Sequence, residues 1–458
     1  MTRRVLVVGL RATGVALAEY FARTGDIVTV VEEDPGQPGY NARAEAVRSL
    51  GAVLVELPGV DEWDNLVATS DLVVPSPGVR PEHSVYSAAN RFGVEIRGEL
   101  DLACELATVP VVAITGTNGK TTVTSLVTSM LVASGKRAVA AGNIGDPAIG
   151  VIDTAADVLV LEVSSFQLHS TTSTFRPRVA VLCNIADDHL DWHQSFDDYA
   201  ESKARIFANQ RDGDVLVANV DDSAVVRISQ TAPARTLGFG RHASPGVAGV
   251  SDGALVSVDG TRLIEIADLP RSAPHDILNA GAAATAALEV GATQDGVRSV
   301  LTKPPRLHHR MESVGKASGV AFVNDSKATN PHAALAALEG YGIGPERVVL
   351  IAGGVTKGID LAPLRTAADK IRAVVAIGDS PEEVEATFSG LVSTVRAGSM
   401  SEAVALAVDR ALPGDTVLLS PACASFDWYR NYEARGDAFT DAVLAFAGSG
   451  LTNDEDIK

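Results

Sequence analysis

Short apolar runs alternate with stretches of helical spacing along most of the chain, and the runs at 5–10, 27–31, 109–115, 158–163, 179–184 and 215–219 read as strands. A run without polar alternation means a strand covered on both faces, and such strands separated by amphipathic helices build parallel α/β sheets. The rhythm restarts after Arg310, with runs at 320–324, 348–352, 373–377 and 416–420. The expected fold is α/β with three domains, each a mainly parallel sheet flanked by helices. Boundaries fall near Gly98 and in Pro304-Pro305-Arg306, where the strand–helix pattern pauses at turn formers, giving domains 1–98, 99–306 and 307–458. The small, polar tail from Gly448 to Lys458 is expected to fray.

A chain of 458 residues with 46% apolar content has material for several cores. Its 57 acidic against 38 basic residues leave a net charge of −19, so the surface repels phosphate backbones and anionic lipid, and nucleic acid is not an expected partner. No apolar run approaches the roughly 18 to 20 residues that cross a bilayer, and the six-residue run after Arg3-Arg4 lacks the cleavage site of a signal peptide. Cys104, Cys183 and Cys423 are scattered without a C-x-x-C pair, which fits neither a disulfide framework nor a zinc site. A reducing cytoplasm is the expected setting.

The first strand runs into Gly9-Leu10-Arg11-Ala12-Thr13-Gly14 and a helix ending near Gly25, the layout of a nucleotide-binding βαβ unit. Arg11 stands where a nicotinamide-dinucleotide loop needs a glycine for backbone approach to the pyrophosphate, so NAD does not fit. Another nucleotide diphosphate would, with Glu32 accepting a ribose hydroxyl; the alternative is a plain tight turn. A second loop carries a stronger signal. The run at 109–115 leads into Gly116-Thr117-Asn118-Gly119, and Lys120 opens a helix whose Val123, Leu126, Val127, Met130 and Leu131 share one face. A glycine turn at a helix start aims backbone N–H groups and the positive helix end at a phosphate. Lys120 would reach the terminal phosphates of ATP and the Thr121 hydroxyl a Mg2+ ion. The sequence is the short form G-x-x-G-K-T-T, with Ile114 where the longer form has its first glycine. A fortuitous turn is the alternative.

Glu162 closes a core strand at the end where open α/β sheets bind ligands, so it suits Mg2+ on nucleotide phosphates or, failing that, a structural ion pair. His189 follows the next strand and by itself reads as an ordinary surface histidine. Beyond it, Phe196, Tyr199, Ala200, Lys203, Ile206 and Phe207 form one helical stripe, which puts Lys203 on the apolar face. Burial disfavours its ammonium, and a neutral amine can add carbon dioxide to become a carbamate, an anionic oxygen ligand. Spacing alone favours the simpler reading, a lysine snorkelling past apolar neighbours.

Gly116 to Thr122, then Glu162-Val163-Ser164-Ser165-Phe166-Gln167-Leu168, His189 and Lys203 together resemble the Mur ligases of bacterial cell-wall synthesis, and the resemblance spans nearly the whole chain. Within that family, Asn324-Asp325-Ser326-Lys327-Ala328-Thr329-Asn330 and Ser420-Pro421-Ala422-Cys423-Ala424-Ser425 are most similar to the D-glutamate-adding branch. The resemblance implies a Rossmann-like domain for UDP-N-acetylmuramoyl-L-alanine, a phosphate-loop ATPase domain and a Rossmann-like amino-acid domain, in a monomer serving peptidoglycan synthesis, and with it cell shape and division. It implies that Ala12, Thr13, Glu32, Ser76, Gly78 and Asn143 bind the UDP substrate. Gly116, Thr117, Asn118, Gly119, Lys120, Thr121 and Thr122 would bind ATP, with Asn279 at the adenine, Arg310 at phosphate, Asp325 at ribose and Lys327 near the γ-phosphate. Thr121, Glu162, His189 and a carbamylated Lys203 would serve Mg2+. Lys120, His189, Lys203 and Arg310 would be catalytic, and Thr329, Lys357, Ser425 and Phe426 would hold D-glutamate. For Thr329 the residues themselves allow another role, a loop hydroxyl before the N-cap Asn330 and Pro331.

Three positions depart from the family pattern: Glu32-Glu33-Asp34 in the uridine region, Asp276 in place of asparagine, and His308 in place of proline. The chemistry implied is transfer of the ATP γ-phosphoryl group to a carboxylate, then attack of an amine on the acyl phosphate. Because its ligands come from three domains, such a site is expected to be complete only on domain closure. The rivals are another Mur-type or folylpolyglutamate-type ligase, against which Asn324 to Asn330 counts, a nicotinamide oxidoreductase, which Arg11 contradicts, and a GTP switch, for which no Asn-Lys-x-Asp sequence occurs.

Overall fold

The computed structural model describes residues 2–189, 192–342 and 344–452. Its strands form three sheets. The first is parallel throughout, in the order Val53–Glu56, Ile27–Glu32, Arg4–Val8, Leu72–Pro75, Glu95–Ile96. The second has nine strands. In it Val111–Thr115 lies between Val179–Leu182 and Val158–Glu162, and the sheet runs parallel from Ala138–Gly142 to Val247–Ser251 before two antiparallel strands finish it. The third orders Glu312–Ala317, Val320–Asn324, Thr416–Leu419, Val348–Gly353, Ile371–Ile377 and Ser393–Arg396, antiparallel at its first pair only. All ten apolar runs lie on strands, within two residues at each end. Glu312–Ala317 is an addition, since the sequence reading starts the third sheet at Val320.

These sheets lie in two compact units, the first made of residues 1–185, 192–268 and 278–304, the second of 186–191, 269–277 and 305–458. The first unit holds two sheets because they share one core, in which Val5, Val7 and Phe21 belong to the same buried cluster as Ala113, Leu161 and Leu182. Gly98, expected as a boundary, is the N-cap of the helix Glu99–Leu106 inside that unit. In the second unit the sheet is packed on both faces, with Phe322, Val375 and Phe439 in one cluster and Leu350, Val374 and Phe388 in the other. In the tail expected to fray, 448–450 form a helical turn and Thr452 bridges Lys316, while 453–458 lie outside the described residues. Among the described residues no helix is long and apolar enough to cross a membrane.

Candidate active site

In the first unit, the chain leaves the strand Val111–Thr115 through Gly116 to Gly119 and enters the helix Lys120–Ala133. Gly119 has φ +85°, and a Cβ there would stand 2.6 Å from Oδ1 of Asn279, so a glycine is required and Asn279 lies over the loop. Asn184 braces the turn: its Oδ1 accepts from the Asn118 N–H at 2.8 Å and its Nδ2 donates to the Asn118 carbonyl at 3.0 Å, while its carbonyl takes the Thr117 N–H at 2.9 Å. The Thr117 hydroxyl meets Tyr199 Oη at 3.0 Å. Lys120 Nζ folds back onto the carbonyls of Gly116 and Thr117 at 2.8 and 2.9 Å, the position an ammonium takes over the loop that would carry the phosphates.

Glu162, 3% exposed, is the centre of a small polar group at the strand ends. Its Oε2 accepts from the Thr121 hydroxyl at 2.6 Å and its Oε1 from the Asn143 amide at 2.8 Å. Thr121 and Glu162 are thus together, as a shared metal requires, whereas Asn143, expected at the UDP substrate, spends its amide on Glu162. Lys203 corrects the simpler sequence reading. It is 1% exposed and does not snorkel: Nζ donates to the Gly116 carbonyl at 2.9 Å and lies 4.5 Å from the centroid of the Tyr199 ring. Its helix ends at Ala204, so Ile206 and Phe207 extend the apolar stripe from the following turn. Burial pushes the Cys183 thiol beneath this loop up to about 12, which removes it as a nucleophile.

The N-terminal glycine loop is tightly closed. A Cβ on Gly14 would stand 1.9 Å from the Gly9 carbonyl oxygen, and one on Gly9 2.8 Å from Ser76 Oγ. Ala12 and Thr13 open the helix Ala12–Arg23, and Gly78 lies in the turn after Leu72–Pro75. Glu32 is a structural acceptor here: it is 6% exposed, and its two oxygens take the backbone N–H groups of Leu10 at 2.7 Å and Asp34 at 2.8 Å. Only its remaining lone pairs could meet a ribose hydroxyl.

The second unit gathers three loops at the carboxyl ends of adjacent parallel strands, where open sheets bind ligands. Loop 353–358 pairs with loop 420–426 through mutual Val355 and Ala424 hydrogen bonds at 2.9 Å, and Ala422 N–H reaches the Ala328 carbonyl of the third loop at 2.9 Å. Lys357, Ser425, Phe426, Thr329 and Lys327 are thereby brought to one edge. Phe426 is 67% exposed, Ser425 is buried, and Lys327 Nζ sits 3.8 Å from the Tyr432 ring centroid. Asn330 caps the helix Pro331–Glu339 with Pro331 in its first turn, as the sequence reading of that segment anticipated. His189 lies with this unit; its backbone has φ +55° and its N–H donates to Asp188, whose other oxygen accepts from Asn330 at 3.2 Å.

Asp325 accepts from the Ser420 hydroxyl at 2.9 Å and the Met311 N–H at 3.2 Å. Burial pushes its carboxyl up to about 7 against the pull of those hydrogen bonds and of the Arg310 and Arg271 guanidiniums. One central residue went unnoticed in the sequence. Arg435, 1% exposed, donates to Ser326 Oγ at 3.0 Å, the Ser326 carbonyl at 2.8 Å and the Cys423 carbonyl at 3.0 Å, tying two of the three loops together. Burial pulls its guanidinium down to about 10.

A strand, a glycine turn and a lysine-led helix, with an acid on the adjacent strand, define a phosphate-loop protein of the α/β class. The comparisons narrow the class: residues 3–98 match the Mur ligase MurD-like N-terminal domain, 114–287 the Mur ligase middle domain and 309–423 the Mur ligase glutamate ligase domain. The chain is 43% identical over 449 residues to the UDP-N-acetylmuramoylalanine--D-glutamate ligase of Desulfosudis oleivorans, covering 96% of both chains. It is 38% identical to the enzyme of that name from Mycolicibacterium smegmatis, covering 97% of both. Among solved structures, the MurF ligase of Thermotoga maritima in complex with ADP superposes with a TM-score of 0.63 at 17% identity, covering 97% of this chain and 99% of that one. This chain belongs to the Mur ligase family.

Proposed function

We propose that the protein is an ATP-dependent ligase that joins D-glutamate to UDP-N-acetylmuramoyl-L-alanine. The observation that carries this reading is the Thr121–Glu162 contact at 2.6 Å beside the phosphate loop, in a chain whose full-length relatives bear the name of that ligase. The three expected domains, 1–98, 99–306 and 307–458, then divide the work as UDP-substrate, nucleotide and amino-acid binding.

Two oxygen donors in contact are a set that Mg2+ takes, so Thr121 and Glu162 fit it and a carbamylated Lys203 would add a third oxygen; His189 enters only as the family resemblance assigns it. When bound, that ion would neutralise charge on the nucleotide phosphates. This chain's own residues do the rest. The helix start at Gly119 and the Lys120 ammonium hold the phosphates, Arg310 stabilises charge on the transferred phosphoryl group, and Asn279 and Asp325 meet adenine and ribose. The alanyl carboxylate attacks the γ-phosphorus, ADP leaves, and the D-glutamate amine displaces phosphate from the acyl phosphate to form the amide. Lys357 and the Thr329 hydroxyl neutralise and bond the glutamate carboxylates, and Ser425 and Phe426 shape that pocket.

Phosphate release measured with ATP, UDP-N-acetylmuramoyl-L-alanine and a panel of amino acids tests the reading. Release that needs both ATP and the UDP substrate and is highest with D-glutamate is expected. Equal release with L-alanine or a diamino acid, or turnover of a folate with L-glutamate, would refute it.

A further inference from the structure

Outside the phosphate-loop group, three side chains of the first unit converge where the helix Ser165–His169 meets the start of the helix Phe196–Ala204: His169, His193 and Asp198. One ligand-type atom of each lies within 4.8 Å of the others. We propose that these three side chains bind a divalent transition-metal ion of the zinc type, which clamps the helix following Glu162 to the helix that carries Lys203.

The chemistry of the donor set separates this ion from Mg2+. Two imidazoles and one carboxylate suit zinc, cobalt or nickel, whereas Mg2+ takes oxygen ligands and keeps its waters. Two ligands of a tetrahedral zinc ion at about 2.0–2.1 Å stand about 3.3 Å apart. His193 Nδ1 and Asp198 Oδ2 are already 3.2 Å apart. His169, half-buried, completes the set by rotating inward, and its Nδ1 is steadied by Ser202 Oγ at 3.2 Å.

The surroundings are those of an ordered site. His193 has a wholly buried side chain, and its Nε2 lies 3.0 Å from Ser165 Oγ. That hydroxyl serves both states. Without metal it donates to Nε2 while Nδ1–H points to Asp198; with metal on Nδ1 the proton moves to Nε2 and the hydroxyl accepts. No buried polar atom is stranded in either state. Phe166 stacks on His193 at a centroid distance of 5.8 Å, and Trp192 stands edge-on to His169 and His193 at 5.1 and 4.6 Å. These rings hold both imidazoles in place, and the fourth position of a tetrahedral ion is left to a water.

Full-length protein stripped with a chelator is titrated with Zn2+ and with Co2+ in millimolar Mg2+ and ATP, which hold the phosphate-loop group on its own ligands. One retained equivalent of Zn2+, the visible absorption of four-coordinate Co2+ and a raised melting temperature are expected. His169→Gln, at a half-buried position, and Asp198→Asn should each weaken Zn2+ binding about tenfold or more, with circular dichroism unchanged in the metal-free state. The two variants back each other should one fail to fold. Absence of a retained equivalent in Mg2+, or equal Zn2+ affinity in wild type and folded variants, would overturn the site and leave a His–Asp–Ser hydrogen-bond network.

Discussion

Replacing Lys203 separates a structural lysine from a functional one, because the loss of its bonds is opposed by the relief of a buried charge. Lys203→Met keeps the volume of the stem and removes the charge. It loses a charged hydrogen bond to the Gly116 carbonyl at 2.9 Å, worth about 1.5–3 kcal/mol, and a contact with the Tyr199 ring at 4.5 Å, worth about 1–2 kcal/mol. Against this stands the cost of keeping an ammonium in a site only 1% exposed, itself several kcal/mol. The net change in unfolding free energy, read by urea denaturation, should be within about 2 kcal/mol of zero. Ligase activity should nevertheless fall about a hundredfold or more, as when one group that stabilises transferred charge is removed. Lys203→Ala leaves room for a small molecule, and if the native lysine carries a carbamate, acetate should restore part of the activity by returning an anionic oxygen. A loss beyond about 4 kcal/mol with undiminished activity per folded molecule would make the lysine structural. Rescue of Lys203→Ala by amines instead of carboxylates would show that it acts as a cation.

Arg435→Met should cost about 1–3 kcal/mol for each carbonyl it leaves without a donor, Ser326 and Cys423, less the relief of a buried charge, and should raise the D-glutamate KM more than the ATP KM; unchanged D-glutamate KM in a folded variant would limit Arg435 to stability. Lys357→Ala should likewise raise the D-glutamate KM far more than the ATP KM, and equal effects on both would move Lys357 out of the amino-acid pocket. Glu99 has one carboxyl oxygen without a partner, and burial pushes it up to about 7 from an ordinary 4.5. The folded state therefore binds that proton more tightly than the unfolded state, and its contribution to stability falls as pH rises from about 4.5 through 7, by about 3 kcal/mol. Glu99→Gln should remove that part of the pH slope in denaturation curves, and an unaltered slope would contradict it.

The strands that were legible in the sequence are those buried on both faces, where apolar residues run unbroken: Val111–Thr115 and Val348–Gly353 are buried at every position. Those that escaped include edge strands, short strands and one long interior strand, Arg235–His242, whose buried centre is broken by Gly238 and Gly240 and whose ends are exposed and basic. Val53–Glu56 and Ser393–Arg396 end their sheets with exposed first and last residues, and Glu95–Ile96 has only two residues. Leu72–Pro75 is wholly buried but four residues long, too brief to stand out between Asp71 and Pro75. Glu312–Ala317 alternates, as an antiparallel edge does.

The same division holds in the site. Gly116, Gly119, Lys120 and Thr121 were legible because a phosphate loop demands particular residue types at fixed local spacing. Asn184, 66 residues from Asn118, and Arg435, 109 from Ser326, act through contacts that only the fold creates. Loops at the carboxyl ends of parallel strands leave backbone groups that no neighbouring strand can satisfy. Buried polar side chains fill this role here: Asn184 for the phosphate loop, Glu32 for the glycine loop, Arg435 for loops 324–330 and 420–426. With its backbone bonded by such partners, a loop keeps one conformation without spending its own side chains, and Phe426 stays exposed at the edge where an acceptor would bind. The residues proposed to recognise ligands and those that brace the loops are thus largely different sets, and Glu32, which local sequence singled out for the first, is found serving the second.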